Sequence, residues 1–199
     1  MTSWKFYDDN ADRLFSDYIS LSFNSIFYDV KEYFPESIET ILDVGAGSGR
    51  DSAALAEKGY RIVAVEPSEK MRNLASTFYT SDKITWIDDS LPLLSTVKKI
   101  KVKFDLILVS AVWMHLSETE QNESLETLCE LLSHNGKIII TLRLGPPEPD
   151  RCIKSVSTQY LLNTASILGL NADYISPVNE DSFNRPLIKW QKIVLSKPI

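Results

Sequence analysis

The stretch Ile41-Leu42-Asp43-Val44-Gly45-Ala46-Gly47-Ser48-Gly49-Arg50 runs from apolar residues through a glycine-rich turn into helix-forming residues. This order predicts a parallel strand, a tight turn and the start of a helix. Because glycine has no Cβ, the turn can bend sharply and bring backbone N–H groups close to a ligand. The N-terminus of the following helix adds partial positive charge at the same point. The stretch therefore predicts a ligand site at the carboxyl end of a strand.

Beyond residue 39 the chain alternates short apolar runs with helical segments. The runs are nearly continuous, as in parallel strands that are covered on both faces. Strands are predicted at residues 41–44, 62–65, 83–87, 104–109, 138–142, 172–175 and 188–195. Helices are predicted at residues 51–58, 68–79, 117–132 and 155–168, with left-handed C-terminal caps expected at Gly59 and at Asn135-Gly136. This alternation predicts a doubly wound α/β sheet.

The N-terminal segment differs from the rest of the chain. Residues 8–34 carry apolar side chains at helical spacing up to Pro35, and helices are predicted there. Residues 1–38 are expected to form a helical lid on a core of residues 39–199. A chain of 199 residues can bury such a core as one domain without disulfides or metal. The proline-rich residues 145–149 are expected to form a surface loop.

Charge and composition exclude several classes of function. The formal net charge of -6 argues against a nucleic-acid partner held by phosphate contacts, and the basic run at residues 98–103 is interpreted as a solvated connection. Cys129 and Cys152 lack metal or disulfide spacing, and Cys129 is expected to be a small buried residue. No apolar run approaches the length of a membrane span, and the first residues lack a signal-peptide pattern. A cytoplasmic protein without a metal is expected, and its oligomeric state stays open.

Two ligands compete for the glycine turn. The dinucleotide fingerprint Gly-x-Gly-x-x-Gly requires a third glycine where this chain has Arg50. The order Asp43-x-Gly45-x-Gly47-x-Gly49 instead resembles motif I of the class I S-adenosylmethionine-dependent methyltransferases, Asp/Glu-x-Gly-x-Gly-x-Gly, at every fixed place. The resemblance is strong over about residues 39–143. It implies a mostly parallel, seven-stranded Rossmann-like sheet in the order 3-2-1-4-5-7-6, with the last strand antiparallel.

The same resemblance implies where the methyl donor, S-adenosylmethionine, is held. Glu66 ends the second strand 21 residues after Gly45 (66 minus 45), where an acid can accept both ribose hydroxyls. For the adenine, Asp89 is favoured because it directly precedes Ser-Leu-Pro, and Asp88 is the alternative. The cofactor-binding residues implied are Asp43, Gly45, Ala46, Gly47, Gly49, Arg50, Glu66, Pro67, Met71, Asp88, Asp89, Ser90, Leu91, Ser110 and Ala111.

Methyl transfer from a sulfonium is an in-line displacement that needs positioning, and it needs a base only where the acceptor carries a proton. His115 is either a general base or a residue that fixes the start of the helix at Ser117. Arg143 either grips an anionic acceptor or pairs with an acid. Tyr7 reaches the cofactor's carboxylate, lines the acceptor pocket, or packs the appendage onto the sheet. Trp113 is expected in the core, with an acceptor platform as the alternative.

The acceptor class follows in part from an absence. Methyltransferases that act on exocyclic amines of nucleobases, or on glutamine, typically carry an Asn/Asp/Ser-Pro-Pro-aromatic motif after the fourth strand. This chain has Ser110-Ala111-Val112-Trp113 there, so amino methylation of a base is disfavoured. A small-molecule acceptor is therefore expected, and a protein acceptor stays open. The alternative from another class is a non-catalytic regulatory or assembly module that binds S-adenosylmethionine or S-adenosylhomocysteine. A nucleotide-dependent dehydrogenase is the third candidate.

Overall fold

The structure is a computed structural model that describes residues 3–37 and 39–197. Ile38, at which the predicted lid ends, lies outside the described residues, as do residues 1–2 and 198–199. The organisation of the chain as one domain stays a prediction.

A single twisted sheet forms the centre of the described chain. Its order is β3-β2-β1-β4-β5-β8-β6, and the short β7 pairs with β8 outside this path. The pairs among β1 to β5 are parallel, whereas β8 runs antiparallel to β5 and β6. With the two-residue β7 left aside, this order confirms the predicted α/β fold and its antiparallel last strand. The strands are β1 Thr40–Val44, β2 Arg61–Val65, β3 Ile84–Ile87, β4 Phe104–Val109, β5 Leu132–Leu144, β6 Asn171–Ile175, β7 Asn179–Glu180 and β8 Lys189–Ser196.

The helices agree with the predicted pattern in the core and depart from it near the N-terminus. The expected helical region at residues 8–34 is divided into several short helices, because Asn10 and Ser22 begin new ones. An additional short helix, α6, contains the first two lysines of the basic run that was expected to be a connection. The helices are α1 Ser3–Asp9, α2 Ala11–Ile19, α3 Phe23–Ile26, α4 Arg50–Glu57, α5 Glu69–Phe78, α6 Ser95–Lys99, α7 Glu118–Leu131 and α8 Thr158–Ile167.

The predicted left-handed cap at Asn135-Gly136 is wrong. α7 ends at Leu131, and the chain passes directly into β5 with Leu132 in an extended conformation. A Cβ on Gly136 would lie 2.8 Å from the carbonyl oxygen of Phe104, so glycine is required there by the close approach of β4. By contrast, Gly59 follows α4 with φ +104°, as predicted.

The sheet is buried on both faces, which explains the continuous apolar runs. In β4, Ile107 and Val109 join the apolar cluster on one face, while Leu106 and Leu108 join the cluster on the other. This alternation follows the two-residue period of a strand. Cys129 is half-buried against the first cluster, so it is less buried than expected.

The helices α1 and α2 pack against α5, which follows β2. They share an apolar cluster with α5 that includes Leu14, Phe15 and Met71. A polar contact fastens α1 as well, since the Asp8 carboxylate accepts hydrogen bonds from Ser68 Oγ at 2.7 Å and from the backbone N–H of Lys70 at 3.1 Å. Asp8 thus places a negative charge at the positive end of α5.

The variant Asp8→Ala tests this fastening. We expect amide hydrogens of residues 3–19 to exchange about tenfold faster or more, because hydrogen bonds to charged groups contribute about 1.5–3 kcal/mol. Hydrogen exchange followed by mass spectrometry measures this, with Asp12→Ala as the control, since Asp12 is exposed on α2. Equal protection of residues 3–19 in the two variants would contradict the proposed role of Asp8.

Candidate functional site

A cavity of about 1300 Å³ opens at the carboxyl ends of the parallel strands and beneath the N-terminal helices. One part of its wall is the glycine turn after β1 together with the end of β2. The opposite part comes from the segments after β4 and β5 and from the hairpin that joins β7 to β8. The cavity therefore lies where open α/β sheets bind ligands.

The glycine turn is held by its surroundings. A Cβ on Gly45, whose φ is +69°, would lie 2.3 Å from a methyl group of Val112, and a Cβ on Gly49 would lie 2.8 Å from the Trp86 ring. A Cβ on Gly47 would lie 3.9 Å from the carbonyl oxygen of Gly45, the one heavy atom within 4 Å of it. Packing thus excludes side chains at the first and third glycines, whereas the middle glycine leaves room beside the cavity.

Glu66 joins the glycine turn to the end of β2. Its two carboxylate oxygens accept backbone hydrogen bonds, one from Gly47 at 2.7 Å and the other from Ser68 at 2.8 Å. Burial raises the pKa of Glu66 to about 7, although these two hydrogen bonds act in the opposite direction. The cavity therefore has a buried carboxyl group in a fixed orientation on one wall.

Asp43 supports the turn from behind. Its side chain is buried and accepts a hydrogen bond from Ser52 Oγ at 2.6 Å, and burial raises its pKa. Arg50 begins α4 and pairs with Asp51 through Nε at 2.7 Å and Nη2 at 2.9 Å. These contacts stabilise the turn without placing the Asp43 carboxylate on the cavity wall.

The structure also separates the two adenine candidates. Asp89 lines the cavity, and its carboxylate accepts hydrogen bonds from the backbone N–H groups of Ser90, Thr96 and Val97 at 2.7 to 3.0 Å. Asp88 is an exposed partner of Arg72 at 3.2 Å and does not line the cavity. The favoured residue is thus the one that the fold brings to the site.

Most of the expected cofactor residues meet at this cavity. Ala111 takes a positive φ of +56° and donates its backbone N–H to Thr141 Oγ1 at 2.7 Å, which holds the segment after β4. The expected residues that line the cavity are Gly45, Ala46, Gly47, Arg50, Glu66, Pro67, Asp89, Ser90, Leu91, Ser110 and Ala111. Four others pack behind or beside it: Asp43, Gly49, Met71 and Asp88.

The three expected catalytic residues, Tyr7, His115 and Arg143, also line the cavity. Tyr7 Oη lies 3.1 Å from His115 Nε2, and the two rings meet edge to face. His115 Nδ1 lies 3.4 Å from the carbonyl oxygen of Cys152, which can only accept, so the proton belongs on Nδ1 and Tyr7 donates to Nε2. Burial lowers the pKa of His115 to about 4, so the imidazole is neutral at pH 7.

α7 does not depend on the His115 side chain for its start. Ser117 Oγ accepts the backbone N–H of Glu120, and the Glu120 carboxylate accepts the backbone N–H of Ser117. This capping box satisfies the first turn by itself. The ring nitrogens of His115 face Tyr7 and Cys152 instead. Trp113, two residues before His115, is buried in the core as expected.

Arg143 pairs with an acid, one of the two alternatives for this residue. It is buried, donates to the carbonyl oxygen of Pro146 at 2.9 Å, and forms an ion pair with Glu148. Glu148 also pairs with Arg151 Nη1 at 3.1 Å. Arg151 also lines the cavity, and sequence reasoning missed it. It follows a proline-rich loop that was expected only to lie at the surface, but Pro147 and Pro149 of this exposed loop also line the cavity.

The hairpin after β7 contributes another missed group. The buried Asp181 accepts two hydrogen bonds from the guanidinium of Arg185, at 2.9 and 2.7 Å, and one from Trp190 Nε1 at 2.8 Å. Burial alone would raise the pKa of Asp181, but these hydrogen bonds outweigh it and hold the pKa well below its usual range. Arg185 and Trp190 thereby reach the cavity wall in fixed positions. The sequence shows that these residues are basic and aromatic. They lie far along the chain from the motifs, however, so nothing in the sequence marked them as part of the site.

The sheet order, the antiparallel β8 and a glycine turn after β1 together define the class of Rossmann-like methyltransferase folds. Residues 41–136 match the family model described as a methyltransferase domain. An uncharacterized methyltransferase of Alkaliphilus oremlandii is 30% identical over 105 residues, which cover 50% of this chain and 43% of that protein. The chain spans about half the length of the curated relatives that it matches, for example 43% and 56%.

Solved structures agree in fold. An S-adenosylmethionine-dependent methyltransferase from Methanosarcina mazei superposes with a TM-score of 0.70 at 16% identity, covering 90% of this chain and 100% of that chain. The glycopeptide N-methyltransferase MtfA in complex with (S)-adenosyl-L-methionine gives 0.69 at 12% identity, covering 89% and 95%. These findings show that the chain has the fold of the class I S-adenosylmethionine-dependent methyltransferases, and that its residues 41–136 are similar to a methyltransferase domain.

Residues 3–37 and 39–197 include no group of three or more histidine, cysteine or acidic side chains placed to hold a metal ion. Within the same ranges, no helix has the length and the apolar character needed to cross a membrane.

The protonation of His115 can be measured directly. We expect its imidazole to titrate near pH 4 instead of near 6.5, because burial beneath α1 disfavours the cation. The lowered pKa means that the unfolded chain takes up a proton at His115 before the folded chain does. The resulting contribution of His115 to the free energy of unfolding is fully present above pH 6.5 and is lost as the pH falls towards 4. Proton NMR of the two histidines measures the midpoint, and a His134→Gln variant assigns the signals. A midpoint near 6.5 for His115 would contradict the burial.

Proposed function

We propose that this chain transfers a methyl group from S-adenosylmethionine to a small-molecule acceptor. The observation that carries the proposal is one cavity that joins the glycine turn and Glu66 on one wall to the Tyr7–His115 pair on another. The family match supports the methyl donor. The lid supports a small acceptor, because α1 covers the cavity and brings Tyr7 within hydrogen-bonding distance of His115.

The residues on the first wall suit S-adenosylmethionine. The space beside Gly47 allows close contact with the backbone, and Glu66 presents carboxylate oxygens that can accept ribose hydroxyls. Asp89 and Leu91 lie on the cavity wall beyond the end of β3, where the adenine is expected. MtfA, which has the same fold, was solved in complex with this molecule.

Methyl transfer from a sulfonium requires mainly that the protein position the donor and the acceptor. Bound there, S-adenosylmethionine supplies an electrophilic methyl group: the acceptor's lone pair forms the new bond as the sulfur–carbon bond breaks, and that electron pair stays on sulfur. The cavity walls orient the acceptor, and the lid excludes water. An acceptor that donates to Tyr7 Oη passes its proton through this hydroxyl to His115 Nε2. A base with a low pKa is adequate, because the acceptor atom becomes acidic as the new bond forms.

Binding is tested by calorimetry with S-adenosylhomocysteine. We expect the wild-type protein to bind and Glu66→Ala to weaken binding about tenfold to a hundredfold, because hydrogen bonds to a charged group contribute about 1.5–3 kcal/mol. Glu69→Ala is the control, since Glu69 is exposed on the neighbouring α5. Absence of binding by a folded wild-type sample would refute the proposal.

Transfer is tested with labelled S-adenosylmethionine and a pool of small metabolites. If His115 takes up the proton, His115→Ala slows labelling about 10²- to 10⁴-fold while the affinity for S-adenosylhomocysteine stays unchanged. His134→Ala, at an exposed position on β5, controls for loss of a histidine. Unchanged turnover in His115→Ala would assign His115 a structural role. Tight binding without any labelled product in the wild type would favour the non-catalytic module.

A further inference from the structure

The basic residues that line the cavity differ in how they are paired with carboxylates. Most basic residues on its wall have a carboxylate of their own, but Arg143 and Arg151 share the carboxylate of Glu148. The one-to-one pairs are Arg50–Asp51, Lys154–Glu120, Arg185–Asp181 and Lys192–Asp29. Arg143 and Arg151 are here called the arginine pair. Because they share one carboxylate, the arginine pair and Glu148 together carry one positive charge in excess.

This excess charge is poorly solvated. The Arg143 side chain is only 1% exposed and that of Arg151 is 20% exposed. Leaving a charge buried without a counter-charge is unfavourable, so the arrangement gains free energy when an anion joins it. Burial, and to a smaller extent the guanidinium groups of Arg185 and Arg151, lower the pKa of Arg143, although Glu148 acts in the opposite direction.

The arginine pair also has donors left over. Each guanidinium presents five N–H donors, and the acceptors that the two meet are Glu148, the Pro146 carbonyl oxygen and the Tyr18 hydroxyl group. Within the described residues, neither Arg143 Nε nor Arg151 Nε has a hydrogen-bond partner. Spare donors in a forked arrangement match carboxylate and phosphate oxygens.

The position of the pair relates it to the reacting groups. Arg151 interacts electrostatically with Tyr7, whose hydroxyl bonds to His115, so the excess charge lies near the proposed proton acceptor. Trp190, paired with Arg143 in the β5–β8 register, and Phe183 add aromatic surface to the same wall. An acceptor held here would have an anionic group at the arginines and an apolar body against these rings.

We propose that the arginine pair binds the anionic group of the methyl acceptor, which is thus a small carboxylate- or phosphate-bearing molecule. This inference rests on the proposed methyl transfer. The main alternative is that the arginine pair binds the carboxylate of the methyl donor. The two assignments differ in the effect that loss of Arg151 has on the affinity for S-adenosylhomocysteine.

The experiment titrates matched probes into the protein loaded with S-adenosylhomocysteine. Benzoate and phenyl phosphate carry the two anionic groups on one ring, and benzamide is the neutral counterpart of benzoate. At constant ionic strength we expect one of the anions to bind at least tenfold more tightly than benzamide, and Arg151→Gln to lose at least tenfold of that affinity. Lys189→Gln removes a basic residue paired with Glu180 and should leave binding unchanged.

The outcomes separate this inference from the proposed function. Equal binding of benzamide and both anions, or unchanged anion binding in Arg151→Gln, would overturn it. A matching loss of S-adenosylhomocysteine affinity in Arg151→Gln would also overturn it, since Arg151 would then hold the donor. If Arg151→Gln does not fold, the comparison of anions with benzamide in the wild type decides. Failure of the wild type to bind S-adenosylhomocysteine refutes the proposed function, and titration of the protein alone with benzoate still tests the arginine pair.

Discussion

The carboxylate of Glu66 is the contact on which the arrangement of the site depends. One oxygen holds the backbone of the glycine turn at Gly47, and the other holds Ser68 at the start of α5. Ser68 in turn donates to Asp8 of the lid. A single buried acid therefore connects the end of β2, the turn after β1 and the segment that covers the cavity. The raised pKa of this acid reflects the burial that this position demands.

The two walls of the cavity differ in electrostatic character. The wall with the glycine turn includes Glu66 and Asp89, whereas the wall after β5 includes Arg143 and Arg151. His115, which also lines the cavity, is a neutral imidazole and adds no charge at pH 7. A cationic donor and an anionic acceptor would each meet the complementary wall. Their opposite charges would also favour contact at the centre.

The sequence predicted the sheet because local apolar runs determine which segments become buried strands, and the glycine motif because its backbone demands are local. Its failures come from long-range contacts. Gly136 followed a helix and resembled a cap, yet it serves the approach of β4 through Phe104. Arg151 and Arg185 reach the cavity from loops whose paths depend on the completed fold, so neither spacing nor composition marked them. Met71 belongs to the expected set, but its side chain packs with the lid.

The burial of His115 depends in part on α1, since Tyr7 packs against its ring and bonds to its Nε2. Lifting α1 would hydrate the imidazole and return its pKa towards the ordinary value for histidine. A proton taken up during a turnover would then meet bulk water at the moment the products are exposed. Movement of the lid would thus reset the protonation state and open the cavity in one step. The speed of α1 would set an upper limit on the rate of repeated turnovers.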